Sequence, residues 1–297
     1  MSNLVSHFIT AQDGLKLHVR AYGSRAATLL PVVCLPGLAR TGADFHRLAS
    51  ALAASAEQPR YVLALDYRGR GLSGYDRDAA NYSLPVELAD VLSVLTALAI
   101  GRAVFVGTSR GGLLAMLLGS ARPAALAGVV LNDIGPVIET SGLVRIKGYV
   151  GRLPLAKSFE EGAEFLRRLF GPQFPALSPD DWMDQARRTF RDQGGRIIPD
   201  YDPKLARVLR DVDIERALPP LWKEFDSLAR VPMLIIRGAN SDVLSTTTFE
   251  AMRARRRLCE ALVVPDQGHA PLLTDDDTIA RIGAFVGSCE PQSDAAA

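Results

Sequence analysis

Residues 102–112 read Arg102-Ala103-Val104-Phe105-Val106-Gly107-Thr108-Ser109-Arg110-Gly111-Gly112, and the chain runs on as Leu113-Leu114-Ala115-Met116-Leu117-Leu118-Gly119. The first part is an apolar, β-branched-rich run of strand length, and the second has the composition of a helix. Between them stands Gly-x-Ser-x-Gly. A strand, a tight turn and a helix in immediate succession are the context in which that pattern sets a serine on a sharp turn at the C-terminal edge of a sheet. Gly107 and Gly111 suit such a turn because backbones approach closely there and a Cβ would clash. The helix N-terminus beneath Ser109 favours negative charge developing above it.

Similar apolar runs bounded by Gly, Pro or Asp recur near 29–35, 60–66, 127–132, 231–237 and 260–264. Helical spacing lies between most of them, near 42–54, 84–98, 110–120, 246–256 and 275–287. Alternation of this kind predicts an α/β fold, with a mostly parallel sheet covered by helices on both faces. The opening segment differs. Leu15-Lys16-Leu17-His18-Val19-Arg20 alternates apolar and polar residues after Asp13-Gly14, as half of an antiparallel hairpin at the sheet edge does.

Residues 134–230 separate two successive strands, whereas a crossover needs only about a dozen residues. The expectation is an inserted, mostly helical cap over 137–229, with helical segments including 159–170, 179–190, 203–212 and 221–228. Gly171-Pro172, Gly194-Gly195 and Pro219-Pro220 punctuate it. Residues 1–136 and 230–290 then form one discontinuous core domain, and 291–297 a disordered tail.

Over 297 residues the chain is 48% hydrophobic and 23% charged, enough for a sizeable core, and 34 Lys plus Arg balance 33 Asp plus Glu. Neither a nucleic-acid footprint nor a basic membrane surface is implied. No run approaches the ~18 apolar residues of a membrane span, and the opening MSNLVSHFITAQDG lacks the pattern of a signal peptide, so a cytoplasmic location is expected. Cys34, Cys259 and Cys289 have no metal-ligand spacing and are read as free thiols, Cys34 as a small buried hydrophobe. No metal or cofactor is implied. Gly69-Arg70-Gly71-Leu72-Ser73-Gly74 matches a dinucleotide fingerprint but runs into a polar loop where the fingerprint needs a helix.

A serine nucleophile needs a base, and the chain has four histidines. His18 and His46 lie among surface-type residues and are read as solvated, and His7, near the start of the first strand with no informative neighbours, is read the same way. His269 follows the strand-like 261–264 and the loop Pro265-Asp266-Gln267-Gly268, at a C-terminal strand edge where open α/β sheets keep their sites. An acid must orient it. Asp242, in Arg237-Gly238-Ala239-Asn240-Ser241-Asp242 after the strand 231–236, is the expected residue. Asp133, ending the strand 128–131, competes from the neighbouring position, and Asp266 is assigned to the loop turn.

Order, spacing and context resemble the α/β-hydrolase fold superfamily over essentially the whole chain. Asp66-Tyr67-Arg68-Gly69-Arg70-Gly71-Leu72-Ser73, Leu35-Pro36-Gly37-Leu38 and the position of the insertion add to the resemblance. It implies an eight-stranded sheet and an oxyanion hole formed by the backbone N–H groups of Leu38 and Arg110. Pro36 stands where the common pattern has His; it has no N–H to donate, which leaves Leu38 as the donor. A serine at the turn argues against the epoxide hydrolases and haloalkane dehalogenases of this superfamily, whose nucleophile is an aspartate.

Beside the nucleophile, Arg110 has two readings: binding a substrate carboxylate, or pairing with Asp133 to brace the turn, the latter favoured. Trp222, Phe225, Trp182 and Tyr201 are candidates to line a substrate pocket. The expected activity is a cofactor-independent serine hydrolase of a small or medium-sized carboxylic ester, acting as a monomer or homodimer through Ser109, His269 and Asp242. An enol-lactone hydrolase or a C–C bond hydrolase of ring-fission products would use a similar triad. A non-catalytic ligand receptor on the same scaffold is the alternative of another class.

Overall fold

In the computed structural model, which describes residues 4–210 and 218–291, the chain runs β1 (Val5–Thr10), β2 (Lys16–Tyr22), β3 (Val32–Leu35), α1 (His46–Ala54), β4 (Val62–Asp66), α2 (Leu84–Ala97), β5 (Ala103–Thr108), α3 (Arg110–Ala121) and β6 (Leu126–Asn132). An insertion follows, with α4 (Thr140–Tyr149), α5 (Phe159–Phe170), α6 (Pro179–Thr189), β7 (Phe190–Asp192), β8 (Ile197–Pro199) and α7 (Trp222–Ser227). The chain then closes with β9 (Met233–Gly238), α8 (Thr246–Ala254), β10 (Cys259–Val264) and α9 (Asp276–Ser288).

Eight strands form one sheet in the order β1-β2-β4-β3-β5-β6-β9-β10. All pairs from β4 to β10 are parallel; β2 runs antiparallel to β4, and β1 to β2. Every residue of β3, β4 and β6 is buried, because helices cover both faces, and this is why those strands read as unbroken apolar runs. One core layer includes Phe105, Leu131 and Leu114, and the layer on the opposite face Val104, Val106 and Phe285. No helix among the described residues is long and apolar enough to cross a membrane.

The expected hairpin is β1–β2, turned at Asp13-Gly14 with Gly14 at φ +85°. His18 departs from its expected solvated position and is wholly buried. The loop after β4 folds over β2: Ser73 Oγ accepts from the His18 amide at 2.8 Å, and Asp66 Oδ2 lies 2.7 Å from His18 Nδ1. Asp66 also accepts from the Gly42 and Leu72 amides at 2.7 and 3.1 Å. A Cβ on Gly71 would come within 2.3 Å of Asp66 Oδ2. The glycine-rich turn at 69–74 thus wraps a carboxylate of the chain itself.

The insertion is helical as expected, and local chemistry sets its helix starts. Ser158 caps α5, and Ser178 and Asp181 form a capping box on α6 with Pro179 in its first turn. Two expectations need correction. Residue 190 begins a two-stranded hairpin, β7–β8, whose turn is Gly194-Gly195; both have positive φ, +64° and +83°, as a two-residue hairpin turn of this kind demands. The segment at 203–212 is 3₁₀ rather than α over Pro203–Leu209, and its end at Val212 lies outside the described residues, as does the expected tail beyond residue 291. A small cluster including Leu166, Phe174, Trp182 and Phe190 packs the insertion internally, while Tyr201, Leu205 and Phe225 join the main core.

Candidate active site

The turn between β5 and α3 places Ser109 at φ +51° and ψ −114°, a conformation that lifts its side chain above the sheet. Space dictates the flanking glycines. A Cβ on Gly111 would lie 1.9 Å from the Leu35 carbonyl oxygen, and one on Gly107 2.6 Å from the Gly111 backbone. The loop after β10 brings His269 across, with Nε2 2.8 Å from Ser109 Oγ.

The acid on the other side of His269 is Asp133. Its Oδ2 lies 2.8 Å from His269 Nδ1, and its carboxylate is completely buried. Ser241 Oγ donates to the same oxygen at 2.6 Å, and the Gly238 amide donates to Oδ1 at 2.8 Å. Asp242, the expected acid, instead takes a two-pronged ion pair with Arg145 of α4, at 2.6 and 2.8 Å. Burial tends to raise the Asp242 pKa, but the hydrogen bonds and charge of Arg145 outweigh it and hold the carboxyl below its usual range. The correction has a topological reason. β6 lies directly between β5 and β9, so the residue after β6 stands next to the residue after β5, and Gly238 at the end of β9 and Ser241 in the loop that follows serve it as donors.

Arg110 pairs with neither a free cavity nor Asp133. Its guanidinium turns beneath the turn, where Nε donates to Glu87 Oε2 at 2.5 Å and Nη2 to the Tyr82 carbonyl at 3.0 Å. Glu87 Oε1 accepts from Arg70 Nη1 at 2.7 Å, and Arg70 Nε donates to the Leu38 carbonyl at 2.8 Å. One buried carboxylate therefore links the two segments whose amides were expected to face an oxyanion. The Arg110 amide opens α3 and has no helical carbonyl to bond. Gly37 packs against the serine, since a Cβ there would lie 3.9 Å from Ser109 Cβ.

A largely apolar cavity opens over Ser109 and His269. Gly37, Leu38 and Phe45 line it from the core, and Tyr149, Leu166, Phe170 and Trp182 from the insertion. Tyr201 and Trp182 stand where a pocket role requires. Trp222 and Phe225 do not. They stack edge to face on α7, which packs on the far half of α3 at Met116 and Gly119, ~10 Å along the helix from the serine. Sequence reading missed Arg40, Arg188, Tyr149 and Phe170 on the cavity wall. Only Arg40 left a trace, Asp44 four residues later with the spacing of an ion pair. His18 makes a further Ser-His-Asp contact, with Nε2 2.9 Å from Ser6 Oγ, but neither Ser6 nor His18 lines this cavity. Among the described residues no cluster of His, Cys, Asp or Glu could hold a metal ion.

With an eight-stranded sheet of this order and a serine on a strained strand-to-helix turn, the chain belongs to the α/β-hydrolase family, whose model matches residues 32–282. It is a hydrolase by that membership. It is 33% identical to the 3-hydroxybutyrate-oligomer hydrolase of Cupriavidus necator, over 94% of this chain and 96% of that one. An α/β hydrolase from Novosphingobium aromaticivorans superposes with a TM-score of 0.87 at 38% identity, covering 97% of this chain and 99% of that one. E-2-(acetamidomethylene)succinate hydrolase shares the fold, with a TM-score of 0.78 at 23% identity over 96% and 100% of the two chains.

Proposed function

We propose that the protein is a cofactor-independent serine hydrolase of carboxylic esters, with Ser109 as nucleophile, His269 as general base and Asp133 as the acid that orients it. The observation that carries this reading is the unbroken hydrogen-bonded chain from Ser109 Oγ through both ring nitrogens of His269 to a buried Asp133, at the mouth of an apolar cavity. His269 takes the Ser109 proton as Oγ attacks the acyl carbon, and Asp133 stabilises the imidazolium and holds the tautomer. The amides of Leu38 and Arg110 receive the oxyanion, each worth roughly 3 kcal/mol of the barrier. His269 protonates the departing alcohol; water, activated by the same histidine, then releases the acid from Ser109.

The insertion acts as a cap, supplying Tyr149, Leu166, Phe170 and Trp182 as the roof that selects the acyl or alcohol chain. A relative named for hydrolysing 3-hydroxybutyrate oligomers supports ester chemistry, because such oligomers are joined through esters. Free thiols at Cys34, Cys259 and Cys289 suit a reducing compartment and support a cytoplasmic location.

The test is hydrolysis of p-nitrophenyl esters from acetate to laurate by the native protein and by Ser109→Ala. Turnover by the native protein that disappears in the variant is the expected result, and the chain-length optimum sizes the cavity. Turnover that survives the substitution would overturn the assignment of the nucleophile; turnover of lactones or diketones without esters would overturn the substrate class.

A further inference from the structure

Two arginines line the cavity over Ser109, and their surroundings differ. Arg40 follows the Leu38 loop and is fully engaged. Its guanidinium holds both carboxylate oxygens of Asp44, Nε to Oδ2 at 2.7 Å, and also donates to Thr189 and Gln185. Asp44 cancels its charge. Arg188, in the last turn of α6, is half-buried, and its Nε donates to the Asp184 carbonyl at 3.2 Å. Among the described residues no carboxylate pairs with it and neither terminal nitrogen finds a partner, so the Nη1–Nη2 edge remains available. Its neighbour Arg187 behaves as a surface residue, exposed and within 3.6 Å of Asp184. Burial and the nearby charge of Arg40 pull the Arg188 pKa down, only partly opposed by the charges of Asp44, Asp184 and Asp181, none of which forms an ion pair with it.

We infer that Arg188 is the carboxylate anchor of the cavity, and that the ester cleaved at Ser109 carries a carboxylate at the far end of an apolar chain. The inference rests on the serine-hydrolase reading above for the reaction and on the cavity alone for the anion. Arg40, Asp44 and Arg188 are the charged side chains of the wall apart from His269, and they leave one positive charge. The rest of the lining is mainly apolar, with Leu38, Leu166, Phe170 and Trp182 suited to methylene groups. A guanidinium edge with two free donors matches a carboxylate in a plane, and apolar walls strengthen the pair. Arg110, whose side chain is paired with Glu87, has no such edge to offer.

The experiment compares p-nitrophenyl hexanoate with the mono-p-nitrophenyl ester of adipic acid, which differ chiefly in a terminal carboxylate, and extends to the succinic and suberic monoesters. For Arg188→Met the ratio of kcat/KM on anionic over neutral ester is expected to fall by about tenfold or more at the best chain length, with Arg188→Lys in between. A ratio unchanged at every length would overturn the proposal. A second arm is independent of turnover: Ser109→Ala is titrated calorimetrically with monomethyl adipate, with and without Arg188→Met. Affinity lower by about tenfold in the double variant supports the anchor, and equal affinity overturns it. If the native protein cleaves no ester while this binding difference persists, the esterase reading fails and the anion site stands.

Discussion

Glu87 and Arg110 form a buried ion pair under the nucleophile turn, Oε2 to Nε at 2.5 Å, with neither side chain more than 9% exposed. The second oxygen of Glu87 holds Arg70, and Arg70 holds the carbonyl of Leu38. The two backbone segments assigned to the oxyanion hole come from different strands of the sheet, and this carboxylate is what ties their side chains and loops to one point.

Glu87→Gln is therefore expected to destabilise the fold by about 3 kcal/mol, because it leaves two buried guanidinium groups around a neutral amide. Urea unfolding of the two proteins measures it. A loss below about 1 kcal/mol would mean that water reaches the network and that the pair adds little.

Asp133→Asn and Asp242→Asn separate the two acids. The first removes the group that orients His269 and is expected to lower kcat by about 10³–10⁴ while the protein remains folded. The second acts on a carboxylate tied to Arg145 and is expected to leave kcat within roughly threefold. Steady-state kinetics on the best p-nitrophenyl ester decides, and the reverse ranking would restore Asp242 to the triad.

The Asp242–Arg145 pair has its own signature in stability against pH. The folded-state pKa of Asp242 is depressed below its ordinary value of 3.8. Its contribution is thus present above that value and disappears as pH falls through the lower folded value. Native protein and Asp242→Asn should differ by about 1 kcal/mol near pH 7, and the gap should close as the pH falls past the ordinary carboxylate value and through the lower folded one. Urea melts across that range check it; a gap that widens on acidification would contradict the sign.

Gly111→Ala is expected to prevent folding or to cost more than about 3 kcal/mol, since its Cβ would enter the carbonyl of Leu35 in the neighbouring strand. Gly101→Ala is the control, because a Cβ there meets nothing within 4 Å. Thermal melts of the two variants should differ widely. Similar melts would show that the turn has room the geometry denies.

Local pattern was enough for the α/β architecture, for the position of Ser109 on the strand-to-helix turn and for that of His269 at a neighbouring strand edge. Strand periodicity, the glycines around the turn and a single histidine after it are written in neighbouring residues, and short-range sterics decide them. The starts of α5 and α6 were legible for the same reason, whereas α4 was not among the segments read as helical and the β7–β8 hairpin was hidden because three-residue strands are too short to show a period. Everything that depended on which segments become neighbours needed the tertiary structure. Asp133 and Asp242 both follow strands that end at the same edge, and sequence cannot tell which one His269 reaches. Sheet order puts Asp133 beside Ser109, and Arg145, arriving from the insertion, takes Asp242. Likewise, Arg110 turns to Glu87 rather than to Asp133 or the cavity, and Trp222 and Phe225 pack behind α3. A buried charge takes whichever opposite charge the fold brings to it, and residues far apart in the chain supply that partner.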